Sequence, residues 1–212
     1  MCEKLFETPL LPLGRSGVLL EKMFILCYDN PKMTGEGTTV KIAIIGYSGS
    51  GKSTLARRLG EICGVDVLHF DTVQFLPGWE VRPQEEKARI TEDFLNTHDA
   101  WVIDGTYSKL SFERRMEEAD VIIMLLFNRF TCLHRAYRRY RTYANTTRPD
   151  MAEGCNEKFD WEFAKWILWK GRDKKSRDRF RLVAAQYRGK VVVIRNQKQL
   201  DAYLASVEEK AL

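Results

Sequence analysis

VKIAIIGYSGSGKSTLARRLGEICG, residues 40–64, decides how the rest of the chain is read. Its first seven residues are apolar apart from Lys41, too short a run for a comfortable helix and rich in β-branched side chains. Next comes GYSGSGKST, which fits the pattern G-x-x-x-x-G-K-[ST] with Gly46, Gly51, Lys52 and Ser53 at the fixed positions. From Lys52 to Cys63 the residues Leu55, Leu59 and Ile62 fall on one helical stripe, and Gly64 supplies a stop. Strand, glycine-rich turn and helix in that order form an anion cradle. The glycines let backbone N–H groups converge on phosphate oxygens, and the helix adds its free N–H groups and positive dipole end. Gly46, Ser48, Gly49, Ser50, Gly51, Lys52, Ser53 and Thr54 are therefore the expected nucleotide-binding residues. Lys52 would reach the β- and γ-phosphates, and the Ser53 hydroxyl would take a position on Mg²⁺. A plain turn before a helix has no need of Lys-Ser, and a dinucleotide loop would want glycine where Thr54 stands.

Four similar apolar runs follow: VDVLHF (65–70), AWVID (100–104), DVIIMLLF (120–127) and KVVVIR (190–195), separated by helical stretches. Continuous apolarity marks strands buried on both faces, so an α/β protein with a parallel sheet between helix layers is expected. Ligands of such sheets sit beyond the carboxyl ends of the strands. There the sequence offers the phosphate loop, Asp71, Asp104 and the pair Arg195–Asn196. Two carboxylates beside a phosphate loop suit Mg²⁺ and an acceptor hydroxyl. Asp104 reads as the metal residue, with Ser53, and Asp71 as the acceptor residue. Asp71 as a turn cap and Asp104–Gly105 as an ordinary turn are the plainer alternatives.

After the fourth run, CLHRAYRRYRTY (132–143) puts Arg135 and Arg139 on one helix face, able to stack on a base and to neutralise transferring phosphoryl charge. A solvated basic helix is the competing reading. Arg148, in the breaker-rich Arg148-Pro149-Asp150 connection, is expected to join the site only when that loop closes. Phe159, Phe163 and Trp166 form a stripe read as core packing, and Lys170–Arg181 as an outer solvated face. His69, His98 and His134 lie far apart in sequence and are assigned no chemistry.

The 212 residues suffice for one well-packed domain, and no run of 18 uncharged apolar residues suggests a membrane span. Five scattered cysteines show neither a CxxC pair nor zinc spacing, which reads as a reduced cytoplasmic protein. Charge is uneven: residues 1–128 hold 14 Lys/Arg against 19 Asp/Glu, whereas residues 129–195 hold 18 against 7. The basic stretch calls for an anionic partner or a solvated surface.

GYSGSGKST, LHFDTVQFLPGW (68–79), WVIDGTY (101–107), TRPDMAEGC (147–155) and FDWEF (159–163) together resemble the small P-loop proteins called DNA topology modulation proteins, a family similar to adenylate and shikimate kinases. The resemblance spans residues 40 to about 207. It implies a three-layer α/β/α P-loop NTPase fold with a five-stranded parallel sheet in the order 2-3-1-4-5, ATP and Mg²⁺ at the loop, and a helical lid over about residues 129–180. The lid arginines of adenylate kinases map onto Arg135 and Arg139, and their Asp-Gly onto Asp104–Gly105. The sequence departs in offering only Arg82 where those enzymes hold a monophosphate.

The leading functional expectation is a kinase that moves the γ-phosphate of MgATP to a small-molecule acceptor near Asp71, Trp79, Arg82 and Asp104, with Lys52, Arg139 and Arg148 assisting. Its rival is a nucleic-acid-associated NTPase, suggested by the basic stretch but lacking any recognisable DNA-binding module. Residues 1–38, broken by Pro9, Pro12, Gly14, Gly17 and Pro31 and followed by the ordered pattern, read as a flexible extension outside the 39–212 kinase-like domain. Removing residues 1–32, to begin at Met33, is expected to leave activity and melting temperature near the full-length values. A large fall in melting temperature would contradict that reading.

Overall fold

A computed structural model describes residues 40–144, 146–148 and 150–209; the N-terminal extension, with its expected flexibility, and Pro149 lie outside them. Each apolar run becomes a strand: β1 (Lys41–Gly46), β2 (Val67–His69), β5 (Trp101–Asp104), β6 (Val121–Leu125) and β7 (Val191–Ile194). They form one parallel sheet in the order β2-β5-β1-β6-β7. Counting these strands alone, the order is 2-3-1-4-5, as the resemblance implies. A short antiparallel hairpin, β3 (Phe75–Leu76) and β4 (Glu80–Val81), lies apart from the sheet. Sequence reading missed it, although the Pro77-Gly78 turn between its strands was visible.

The unbroken apolarity of the runs has a direct cause. Alternate side chains of one strand face opposite layers. Ile42 and Ile44 of β1 pack in one core with Val102, Val121, Ile123 and Leu125, under helices α1 (Lys52–Cys63), α5 (Arg129–Thr142) and α8 (Gln197–Glu209). Ala43 and Ile45 pack in the other core with Trp101, Ile103, Ile122 and Met124, beneath α3 (Gln84–Thr97), α4 (Phe112–Glu118) and α7 (Lys174–Gln186). The remaining helices are α2 (Phe70–Gln74) and α6 (Trp161–Leu168). The architecture is three-layered α/β/α.

Helix α1 begins at Lys52 and stops at Gly64, which takes the left-handed conformation at φ 64°. Its buried stripe is Leu55, Ala56, Leu59 and Cys63, so Ile62 sits at the margin of the core rather than in it. A larger revision concerns α6. Ala164, Ile167 and Leu168 are its buried residues. Phe159 and Phe163 only flank the core, while Trp161, Trp166 and Trp169 are 65%, 50% and 56% exposed. A stripe drawn through the largest rings was misleading because the smaller aliphatics are the ones that fit beneath the helix.

Arg115 of α4 is fully buried and has no carboxylate partner among the described residues. Its guanidinium donates to the carbonyls of Leu110 (2.9 Å), Gly105 (3.3 Å) and Tyr107 (3.0 Å) and lies over the Phe70 ring at 4.3 Å. It thereby shapes the loop that leaves β5. Arg115→Leu would strand three carbonyls, each worth about 1–3 kcal/mol when left unpaired. The expected loss in urea unfolding is therefore at least about 3 kcal/mol, and a change under about 0.5 kcal/mol would show that the arginine is dispensable.

Candidate active site at the phosphate loop

The loop starts where β1 ends. Ser50 N–H donates to the Tyr47 carbonyl at 3.2 Å, closing a turn, and Tyr47 N–H donates to Leu125 at 3.2 Å. Gly49 adopts φ 74°, and a Cβ there would lie 2.5 Å from the Cys132 carbonyl of α5, so glycine is required on both counts. Lys52 reaches back over the loop and donates from Nζ to the Tyr47 carbonyl at 3.1 Å. Burial lowers its pKa, opposed by the charges of Asp104 and Asp71. Gly46, Ser48, Gly49, Gly51, Lys52, Ser53 and Thr54 all line one cleft of about 1650 Å³. Ser50 instead lies beneath it, fully buried, with an unpartnered hydroxyl.

Asp104 and Asp71 both line this cleft. Ser53 Oγ donates to Asp104 Oδ2 at 2.8 Å, and His69 Nδ1 lies 2.6 Å from Asp104 Oδ1. Burial opposes a charge on His69, but the hydrogen bond and charge of Asp104 outweigh it and raise the pKa. His69, set aside in the sequence because no partner stood near it, therefore belongs to the site. The signal was topological: parallel pairing of β2 with β5 sets His69 directly against Asp104. Asp150 joins the same group; against the opposing effect of burial, its pKa is lowered chiefly by the charge of Arg148. Ser53 and Asp104 place a hydroxyl and a carboxylate oxygen side by side at the end of the loop, the hard oxygen donors that suit Mg²⁺.

Asp71 sits in the first turn of α2. Tyr107 Oη donates to its Oδ1 at 2.7 Å, and Arg148 Nη2 to its Oδ2 at 3.0 Å. Burial and the negative charge of Asp71 push the Tyr107 pKa far up, so the phenol is a neutral donor.

The arginines are arranged differently from expectation. Arg148 is only 6% exposed and is already part of the site, touching Asp71, Asp150 (3.5 Å) and Glu157 (3.5 Å). Arg139 donates to the same buried Glu157 from Nε at 2.7 Å. One carboxylate thus serves two guanidinium groups, a residue that no motif announced. The connecting segment is docked as well. Cys155 Sγ contacts the Leu76 carbonyl at 3.2 Å, and Trp79 Nε1 donates to the Asn156 carbonyl at 3.0 Å.

Arg135 donates from Nη1 to the Ser50 carbonyl at 2.5 Å, contacts Gln197, and lies over the Phe127 ring at 4.1 Å. Arg195 is not brought in: it is exposed, and the cleft is lined near β7 by Gln197 of α8 instead. Arg82 is also absent from the lining, because Val73 O (3.0 Å) and Glu86 (2.5 Å) hold it. The expected outer face over residues 170–181 is partly turned inward. Arg172 lies over the Tyr47 ring at 3.8 Å, and Arg179 donates to the Thr106 carbonyl at 3.3 Å, whereas Lys174, Arg177 and Arg181 are exposed.

No family model and no curated protein matches the chain, so the likeness to DNA topology modulation proteins gains no support from either comparison. Among solved structures the chain is similar to a shikimate kinase from Acinetobacter baumannii in complex with shikimate, at 17% identity and TM-score 0.47, covering 81% of this chain and 93% of that one. It is also similar to a gluconokinase from Sinorhizobium meliloti 1021, at 14% identity and TM-score 0.43, covering 83% and 94% respectively.

Proposed function

We propose that this chain is an ATP-dependent kinase that phosphorylates a small hydroxyl compound. The observation that carries the reading is the conjunction of half-buried Lys52, the Ser53–Asp104 pair at 2.8 Å and a second carboxylate, Asp71, in one cleft. A purely structural glycine turn needs none of these. The loop amides and Lys52 would hold the β- and γ-phosphates of ATP, and Arg135 would flank the base. Ser53 and Asp104 would hold Mg²⁺, which when bound neutralises charge on the phosphates.

The acceptor hydroxyl would lie against Asp71. Its oxygen forms the new bond to the γ-phosphorus, the bond from that phosphorus to the ADP oxygen breaks, and the hydroxyl proton passes to the carboxylate. Tyr107 and Arg148 each occupy one oxygen of Asp71, but every carboxylate oxygen has a second lone pair free to face the acceptor. Arg139 and Arg148, fixed by Glu157, would meet the equatorial oxygens of the transferring group. The inward turn of Arg139, Arg148, Arg172 and Arg179 favours this use of the basic stretch over duplex binding.

An ADP-release assay over nucleosides, nucleotides, sugars and hydroxy acids tests the activity. Lys52→Ala is expected to lower turnover by about 10³-fold or more while leaving the melting temperature close to the parent's. Parental turnover in that variant would remove the phosphate-loop assignment. Two further replacements separate the carboxylates. Asp104→Asn should raise the magnesium concentration needed for half-maximal rate. Asp71→Asn should lower kcat by about 10²-fold or more and leave the magnesium titration in place. Identical magnesium curves for Asp104→Asn and the parent would overturn the division of roles. Finally, Arg139→Lys should recover little of the rate lost in Arg139→Ala, because an ammonium cannot reproduce the planar fork.

A further inference from the structure

The cations lining the cleft are held in different ways. Arg139 and Arg148 share Glu157, and Arg148 also meets Asp71 and Asp150, while Lys52, Arg135 and Arg179 donate to backbone carbonyls. Lys87 has neither kind of partner for its ammonium among the described residues. It stands in the first turn of α3, is 6% exposed and lines the cleft. Its ammonium has one partner, Gln74 Oε1 at 3.1 Å, and no carboxylate among the described residues. An ammonium has three N–H bonds to place, and burying such a charge without a counter-ion is costly. The nearest glutamate in sequence, Glu86, is turned to Arg82 at 2.5 Å. Lys109 is exposed, lines the cleft and has no ion-pair partner among the described residues; its carbonyl accepts from Gln84 Nε2, in the same first turn of α3 as Lys87, at 3.0 Å.

We infer that Lys87, assisted by Lys109, is the anchor for an anionic group on the acceptor. This rests on the kinase reading above and names its substrate class. Gln74, which holds Lys87, follows Asp71 by three residues in α2 and so shares its helix face. A hydroxyl at Asp71 and an anion at Lys87 would therefore both sit along one side of this short helix. The acceptor is a compact hydroxy anion, carrying either a carboxylate or a phosphate ester. The buried lysine is a specificity device: a neutral sugar or nucleoside would leave it uncompensated in the closed site.

The test uses the full chain saturated with Mg²⁺ and a non-hydrolysable ATP analogue, so that the phosphate loop is filled. Inorganic phosphate, acetate and chloride are then titrated at equal ionic strength, following the melting temperature. In the parent, phosphate or acetate should stabilise saturably beyond chloride, and whichever binds more tightly identifies the anion. Lys87→Met should weaken that binding at least tenfold, leave affinity for the nucleotide analogue within about twofold, and keep or raise the unliganded melting temperature, since an unpaired buried charge is removed. Lys87→Arg should restore most of the anion binding. Equal titrations in the parent and Lys87→Met, or no response beyond chloride in the parent, would overturn the proposal. So would a lower melting temperature in Lys87→Met with anion binding intact, which is the mark of a merely structural lysine. Should Lys87→Met not fold, Lys109→Met must weaken anion binding severalfold, and parental binding in it counts against the anchor. Failure of the parent to bind the nucleotide analogue at all would instead remove the kinase reading.

Discussion

A single buried carboxylate ties the working end of the sheet together. Asp104 ends β5 and receives Ser53 from the start of α1 on one oxygen and His69 from the end of β2 on the other. Three segments that are 51 and 35 residues apart in sequence are thus held within one hydrogen-bonding group. Burial makes the arrangement exacting, because an acid at 5% exposure needs its partners more than a solvated one does. Placing Asp104 there requires the parallel register of β5 against both β1 and β2, and that register comes from the alternating apolar side chains sent into two cores.

Glu157 plays the matching part on the opposite wall. It is nearly inaccessible, and its two oxygens face Arg139 and Arg148. Its contact with Arg148 at 3.5 Å is ionic rather than a good hydrogen bond, and both Arg148 Nε and Glu157 Oε2 are left without hydrogen-bond partners. Both guanidinium groups are thus held in place by carboxylates, Arg148 by three of them. Asp71 stands between the two walls, linked by Arg148 to the arginine side and by Tyr107 to the loop that Arg115 shapes.

The parts legible in the sequence were those encoded by local spacing. The phosphate loop, the five sheet strands, the extent of α1 and the strand-end carboxylates Asp71 and Asp104 all follow from period and motif. What escaped was created by packing between distant segments. His69 acquires a partner only through strand pairing, Glu157 only through the fold of the segment after α5, and Lys87 only because α3 lies beside α2. Arg148 was read as mobile from Pro149 beside it, yet its ion pairs fasten it into the cleft. Arg195 shows the opposite error: a strand end is a good address for a ligand only when the side chain there turns toward the cleft.

The 2.5 Å approach that a Gly49 side chain would make to the Cys132 carbonyl bears on how this cleft can open and shut. With no side chain between them, the phosphate loop and α5 are in backbone contact and Arg135 is bonded to Ser50 across the same seam. The helix carrying Arg135 and Arg139 is consequently welded to the floor of the cleft and has little freedom to swing. The phosphate loop and the arginine-bearing face of that helix therefore keep a fixed spacing, so a ligand has to fit the width of the cleft as it stands.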